Sequence, residues 1–148
     1  MEKVIGKKLA IVYRYRQMIL NHKLKPYHLG SGQYIVLISI ADNEGINQRD
    51  LTHIIMIDKA TTTKALKKLE EEGYIYRQCD EVDRRYNKLF LTEKGHQILP
   101  LLTSILVETM EELTIGMSEE EKVYFSSGLE KLLTNAVITV EHLRGGKL

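Results

Sequence analysis

The 148-residue sequence predicts a mostly α-helical protein with one small β-hairpin. Apolar residues recur at spacings of three and four along most of the chain, whereas residues 74–91 hold two short β-type runs. A hydrophobic fraction of 43% and a charged fraction of 28% are ordinary for a globular protein. At this length, one domain is the simplest organisation.

Two helices are predicted before residue 42. The first covers residues 3–23, and Pro26 in the turn-rich segment 25–32 disfavours its continuation. The second runs from about residue 33 to residue 41. The inward-facing residues of the second helix are predicted to be Tyr34, Leu37, Ile38 and Ala41, and the apolar stripe of the first comprises Ile5, Leu9, Val12, Tyr15 or Arg16, and Ile19.

A helix-turn-helix unit is predicted next. Asn47, with Asp50 three residues later, is typical of a helix N-cap, and the helix covers residues 48–55. After a three-residue turn, Asp58 is placed to cap a second helix over residues 59–71. A left-handed glycine, Gly73, is expected to end that helix. The buried residues are predicted to be Leu51, Ile54 and Ile55 in the shorter helix, and Thr62, Ala65 or Leu66, and Leu69 in the longer one.

The hairpin and two further helices complete the chain. Residues 74–79 and 86–91 are the predicted strands. Thr92 is expected to cap a long helix to about residue 115, in which Pro100 predicts a kink or a late helix start. Residues 118–121 form a capping box for the last helix. The apolar residues of this last helix are Phe125, Leu129, Leu132, Leu133, Ala136, Val137, Val140 and Leu143.

A helix-turn-helix followed by a hairpin is the arrangement of a winged helix-turn-helix, which predicts DNA binding. Adjacent arginines at the hairpin tip suit a narrow minor groove, and the outward face of the longer helix offers small hydroxyl side chains and lysines to the major groove. Asp80 and Asp83 are predicted to pin the tip and leave at least one arginine outward. The candidate DNA-contacting residues are Asn47, Arg49, Lys59, Ala60, Thr61, Thr63, Lys64, Lys67, Lys68, Arg77, Arg84, Arg85 and Lys88.

These side chains also admit other interpretations. The lysines of the helix could form a solvated face with neighbouring glutamates, and the tip arginines could be held in surface ion pairs. Arg77 and Lys88 could pair with each other across the two strands. A winged helix that binds a protein partner is the alternative at the level of function, and it would tolerate reversal of the lysine charges.

Charge and apolar surface are unevenly distributed. Residues 1–46 carry a net charge of +4, residues 47–95 of +1 and residues 96–148 of −4. The terminal helices have more apolar surface than one winged-helix unit can cover, so association between chains is expected, and the opposite terminal charges favour it. The alternative is a monomer whose terminal helices fold back on its own core.

The run from Leu51 to Gly95 resembles the MarR family of bacterial transcriptional regulators. The likeness is carried by the two-helix unit, by the helix exit at residues 69–75, by the wing with Asp80, Asp83, Arg84 and Arg85, and by the closure at residues 91–95. It implies one domain over residues 1–148, with a DNA-binding module at 33–95 and dimerisation helices at 1–30 and 96–148. It also implies a homodimeric repressor that binds a pseudo-palindromic operator through recognition helices about 34 Å apart.

The resemblance further implies release from DNA by a small-molecule effector, and a ligand or metal that acts as a corepressor is the alternative. Tyr13, Arg16, His28 and Tyr34 lie in segments that could line an effector pocket, but no motif assigns them. Relatives commonly carry a basic residue where this chain has Val82, so the wing is expected to be held less firmly. Cys79, at the wing base, is a minority candidate for a redox switch.

Other classes of function lack sequence support. No metalloprotease, nucleophile-elbow or phosphate-loop motif is present, and the five histidines show no i, i+4 pairing, so no enzyme, cofactor or metal site is predicted. No apolar run approaches the roughly 20 residues that span a bilayer. A single cysteine and the absence of a secretory signal favour the cytoplasm.

Overall fold

The computed structural model describes residues 2–145, and this part of the chain forms six α-helices and one three-stranded antiparallel sheet. The helices are α1 (Glu2–Leu24), α2 (Ser31–Asp42), α3 (Gln48–Ile55), α4 (Lys59–Glu71), α5 (Glu93–Leu113) and α6 (Glu119–Gly145), with a 3-10 turn at Lys25–Tyr27. The strands are β1 (Ile46–Asn47), β2 (Ile75–Cys79) and β3 (Asn87–Leu91).

The helix-turn-helix has the bounds that its sequence predicts. Asn47 Oδ1 accepts the amide of Asp50 at 2.9 Å, and Asp58 Oδ1 accepts that of Thr61 at 2.8 Å, so both helices begin at the expected caps. Gly73 has a φ of +75° and ends α4 as expected. The capping box of α6 is also confirmed, because Ser118 and Glu121 exchange hydrogen bonds of 2.7 and 3.2 Å.

The sheet has one strand more than predicted. Its order is β1-β3-β2, and the two residues of β1 pair with Leu89 and Lys88 of the central strand β3. Two residues are too short to show a periodic pattern, so β1 had no sequence signal. Beyond β1, the side chain of Glu44 accepts the amide of Leu91 at 2.9 Å and so satisfies a donor of β3 that no strand pairs.

The core of the winged-helix module lies between the helices and the inner face of the sheet. All four predicted positions on the inner face of α4 are buried, and Leu37 and Leu51 are fully buried as well. Leu20 and Leu24 extend this core along the end of α1. The remaining buried apolar residues are Leu29, Tyr34, Val36, Ile40, Tyr74, Ile75, Leu89, Leu91, Leu102 and Ile105.

The structure differs from the sequence predictions at three points. Ile54 is 51% exposed rather than buried, because Leu51 and Ile55 occupy the inward face of the short helix α3. Of the two predicted consequences of Pro100, a kink or a late helix start, the late start does not occur. α5 begins at Glu93, where Thr92 Oγ1 accepts the amide of Gly95 at 3.0 Å, and Pro100 lies inside the helix. α5 also ends at Leu113, two residues earlier than expected.

The chain divides into two compact units, with the boundary between Thr109 and Met110 inside α5. In the first unit, α1 exposes the apolar side chains of Val4, Ile5, Leu9, Val12, Tyr13, Tyr15 and Met18. In the second unit, α6 has no buried residue among those described and exposes Val123, Tyr124, Phe125, Leu129, Leu132, Leu133, Ile138 and Leu143. Within residues 2–145, no helix combines the length and apolar composition required to span a membrane.

Candidate nucleic-acid interface

The start of α4 is held by hydrogen bonds to its N-cap residue, Asp58. The Asp58 carboxylate accepts two hydrogen bonds from Thr61, from its hydroxyl at 2.6 Å and from its amide at 2.8 Å. These bonds lower the pKa of Asp58 below its ordinary value of 3.8, the hydroxyl bond first and the amide bond second. The first turn of α4 is therefore fixed in position, with Lys59, Ala60 and Thr61 exposed and Thr62 buried.

The outward face of α4 carries the residues that the sequence predicts there. Ala60, Thr61, Thr63, Lys64 and Lys67 are exposed, and Lys68 is half-exposed at its edge. Lys59 begins the helix, small side chains follow it in the N-terminal turn, and lysines occupy the later turns. A recognition helix contacts base edges chiefly through its N-terminal residues, so the small side chains lie where close approach is needed.

The wing turn is pinned by its two aspartates, as predicted. Asp80 Oδ1 accepts the amides of Val82 and Asp83 at 2.9 and 3.3 Å, and Asp83 Oδ1 accepts the amide of Arg85 at 3.2 Å. The turn is held without a basic residue at position 82, where Val82 is 95% exposed. Backbone amides supply the donors that shape this turn.

The two tip arginines differ in their partners. Arg85 makes a bidentate pair with Asp83, in which Nε and Nη2 each donate at 2.9 Å. This pair lowers the pKa of Asp83 and raises that of Arg85. Arg84 is exposed and has no side-chain partner among residues 2–145. Arg85 is thus braced at the tip, whereas Arg84 is unpaired.

A basic cleft lies between α3, the start of α4 and the wing. Its volume is about 420 Å³, and four cationic side chains but no carboxylate line it. The phenol of Tyr86 and the amide of Asn87 add hydrogen-bonding groups at its edge. The lining residues are Gln48, Arg49, Thr52, Lys59, Arg77, Arg85, Tyr86 and Asn87. This composition suits an anion such as a DNA phosphate.

The predicted cations fall into two groups. Four of them have no carboxylate partner within residues 2–145: Arg49, Lys59, Lys64 and Arg84. The other five lie near a carboxylate: Lys67 (Glu71, 3.9 Å), Lys68 (Glu72, 2.8 Å), Arg77 (Glu70, 2.8 Å), Arg85 (Asp83, 2.9 Å) and Lys88 (Asp80, 3.9 Å). Both interpretations of the basic residues therefore describe part of this surface.

The structure does not place all candidate DNA-contacting residues on the same face of the protein. Arg77 pairs in register with Leu89, whereas Lys88 pairs with Gln78, so Arg77 and Lys88 lie on opposite faces of the hairpin. They therefore do not pair with each other. Asn47 uses both side-chain atoms on Asp50, with Nδ2 donating to Oδ2 at 2.9 Å, and it acts as a cap.

Four residues at this surface were missed from sequence: Gln48, Thr52, Tyr86 and Asn87. Gln48 donates to Thr63 Oγ1 at 2.7 Å and accepts from Arg77 at 3.4 Å, so it links α3, α4 and β2. Tyr86 lines the cleft beside Arg85. No local pattern marks Gln48, but the position of Tyr86 directly after the two arginines was an available signal.

The four residues that were candidates for lining an effector pocket make separate contacts in the structure. Arg16 donates to the hydroxyl of Tyr34 at 2.9 Å, while Tyr13 accepts from Gln17 and is 60% exposed. His28 instead lines an open cavity beside Tyr27 and Tyr74. Cys79 is exposed at the wing base. Within residues 2–145, no three His, Cys, Asp or Glu side chains are gathered closely enough to hold a metal ion.

Comparison with known proteins identifies the family. The family model described as "MarR family" matches residues 29–86. The HTH-type transcriptional regulator YybA of Bacillus subtilis (strain 168), which carries the description uncharacterized, is 34% identical over 96% of this chain and 95% of its own length. This relative is named as a transcriptional regulator.

Solved structures agree in fold along nearly the whole chain. A MarR transcriptional regulator from Methanosarcina mazei Go1 is 38% identical, with a TM-score of 0.87 over 93% of this chain and 99% of that one. A putative MarR family regulator from Listeria monocytogenes, solved with a 26mer DNA, is 29% identical, with a TM-score of 0.83 over 96% of this chain and 95% of that one. On these grounds the chain belongs to the MarR family of transcriptional regulators.

Proposed function

We propose that this protein is a homodimeric, sequence-specific DNA-binding repressor. α4 lies in the major groove, the wing arginines enter the adjacent minor groove, and the basic cleft between them binds a backbone phosphate. The observation that carries this proposal is the cleft, because no carboxylate lines it and two of its four cations, Arg49 and Lys59, have no carboxylate partner within residues 2–145. An anion of the size of a phosphate satisfies that charge.

The arginines have separate roles in this proposal. Arg84 is unpaired and free to enter the minor groove, where the negative potential is high. Arg85 keeps its pair with Asp83, which fixes the direction of the guanidinium and leaves Nη1 available to DNA. This pair holds the wing tip although position 82 carries no basic residue. The family neighbour from Listeria monocytogenes, which was crystallised with DNA, supports this use of the fold.

The exposed apolar helices support the homodimer. α1 and α6 each present a long series of apolar side chains that are 42–69% exposed in the described chain. Contiguous exposed apolar surface of this kind marks an association site. The two-fold dimer places two recognition helices about one DNA turn apart, which requires an operator with pseudo-two-fold symmetry.

The wing provides the sharpest test. DNA duplexes are first enriched from a random library with the wild-type protein. The affinity of the variant R84A/R85A for the enriched duplex is then measured by fluorescence anisotropy. We expect the double variant to bind at least tenfold more weakly, since each arginine contact contributes about 1–3 kcal/mol.

The matched control is K25A/K94A, which removes the same charge from exposed positions outside the wing and outside the apolar series of α1 and α6. It should bind nearly as tightly as the wild type. Equal losses in both double variants would mean that general charge, and not the wing, determines binding. Unchanged affinity in R84A/R85A would remove the wing from the DNA-binding mechanism.

Release by an effector and the division of the chain into a DNA-binding module and dimerisation helices both stay predictions. Release by a small molecule requires a ligand with different affinities for the DNA-binding and released arrangements of the dimer. The assignment of residues 33–95 to DNA binding, and of 1–30 and 96–148 to dimerisation, predicts that R84A/R85A remains a dimer. Sedimentation of that variant tests the second point.

A further inference from the structure

We propose that Thr63 reads DNA through its methyl group and contacts the C5 methyl of a thymine, because its single hydroxyl proton is already committed inside the protein. This inference rests on the proposed function and names the base feature that α4 recognises. It follows from a chain of four side chains that runs from Glu70 through Arg77 and Gln48 to Thr63.

The first step fixes the orientation of the Gln48 amide. Arg77 Nε donates to Glu70 Oε1 at 2.8 Å, which holds the guanidinium, and Arg77 Nη1 lies 3.4 Å from Gln48 Oε1. A guanidinium has donors and no acceptor, so the atom of Gln48 that faces it must be the carbonyl oxygen. The amide nitrogen of Gln48 therefore faces Thr63.

The second step fixes the hydroxyl of Thr63. Gln48 Nε2 donates to Thr63 Oγ1 at 2.7 Å, so this oxygen is an acceptor in that contact. The single hydroxyl hydrogen of Thr63 then points to the carbonyl oxygen of Lys59, which lies 2.8 Å away. A hydroxyl has only one donor. Thr63 has none left for the acceptors O6, N7 or O4 of a base.

The third step concerns what remains exposed. Thr63 is exposed, and Ala60, three residues earlier on the same helix, is exposed as well. The methyl groups of these two residues belong, with that of Thr61, to the small apolar part of the N-terminal surface of α4. Apolar side-chain groups recognise the C5 methyl of thymine, the main apolar feature of the major groove.

The test uses deoxyuridine, which lacks only that methyl group. Each thymine of the duplex enriched by the wild type is replaced singly by deoxyuridine, and affinity is measured by anisotropy. We expect at least one position in each half-site at which the replacement weakens wild-type binding about fourfold, the factor for one buried methyl group.

Two variants at Thr63 separate the methyl from the hydroxyl. Thr63→Val keeps the methyl and should retain the deoxyuridine penalty, whereas Thr63→Ser keeps the hydroxyl and should abolish it at one of those positions. Thermal unfolding of both variants confirms that the exposed substitution leaves the fold intact.

The outcomes are distinct. A preferred sequence whose deoxyuridine versions all bind the wild type as tightly overturns this inference alone, as does a penalty that Thr63→Ser retains at every position. Failure to enrich any sequence would overturn the proposed function, and this inference with it.

Discussion

Replacing Arg49 with glutamine should reduce the salt dependence of DNA binding, whereas the same replacement of Lys68 should not. Arg49 lines the basic cleft and has no carboxylate partner among residues 2–145. The ammonium of Lys68 lies 2.8 Å from Glu72, whose hydrogen bond raises the pKa of Lys68. Only the unpaired cation replaces counterions on the phosphate backbone when DNA binds.

The expected salt slopes follow from the number of unpaired cations. Each phosphate contact changes the slope of log K against log salt by about 0.9. Four unpaired cations per chain give eight in a dimer, and so a wild-type slope of about −7. R49Q removes one contact from each chain, so its slope should be about 1.8 units shallower.

Fluorescence anisotropy between about 50 and 200 mM potassium chloride measures these slopes, and wild-type affinity should fall about 10⁴-fold across that range. Equal slope changes in R49Q and K68Q would refute the distinction between paired and unpaired cations. A wild-type slope near −16, the value for all nine basic candidates in both chains, would show that the ion pairs open on DNA.

Three further substitutions test the fold. Leu66→Ala should lower the free energy of unfolding by about 2–5 kcal/mol in urea denaturation, because Leu66 is fully buried, and a loss below about 1 kcal/mol would contradict this packing. Gly95→Ala should destabilise by more than about 2 kcal/mol, since an added Cβ would lie 2.1 Å from the Tyr74 carbonyl oxygen; a neutral effect would refute that close approach. Asp58 has a lowered pKa in the folded state, so its stabilising contribution is present above pH 3.8 and is lost as pH falls through the folded pKa. Asp58→Asn keeps a cap that does not titrate, so thermal unfolding should show less acid destabilisation below about pH 4 than in the wild type, and parallel pH profiles would contradict the assignment.

The sequence predicted those parts of the fold that depend on local interactions. The caps at Asn47 and Asp58 and the stop at Gly73 involve residues within three or four positions, and they set the bounds of α3 and α4 correctly. The strand β1 depends on pairing with β3, more than 40 residues later, and had no local signal. Ile54 looked apolar and inward, but only tertiary packing decides which face of a two-turn helix is covered.

At the candidate interface, too, the features set by local interactions were predictable from sequence, whereas those set by tertiary contacts were not. The outward face of α4 followed from helical periodicity, and the aspartates of the wing followed from turn chemistry. The difference between Arg84 and Arg85 required the geometry of the turn, which brings only Arg85 onto Asp83. The role of Gln48 arises from three elements that meet in space, so no spacing in the sequence could reveal it.

The most direct test of the central claim is the ratio of wild-type affinities for the enriched duplex and for a shuffled duplex of the same composition at 150 mM salt. A dimeric reader of base sequence should prefer the enriched duplex by at least about 10³-fold. Equal affinity for both duplexes would contradict the account, because a surface that contacts only phosphates cannot distinguish them.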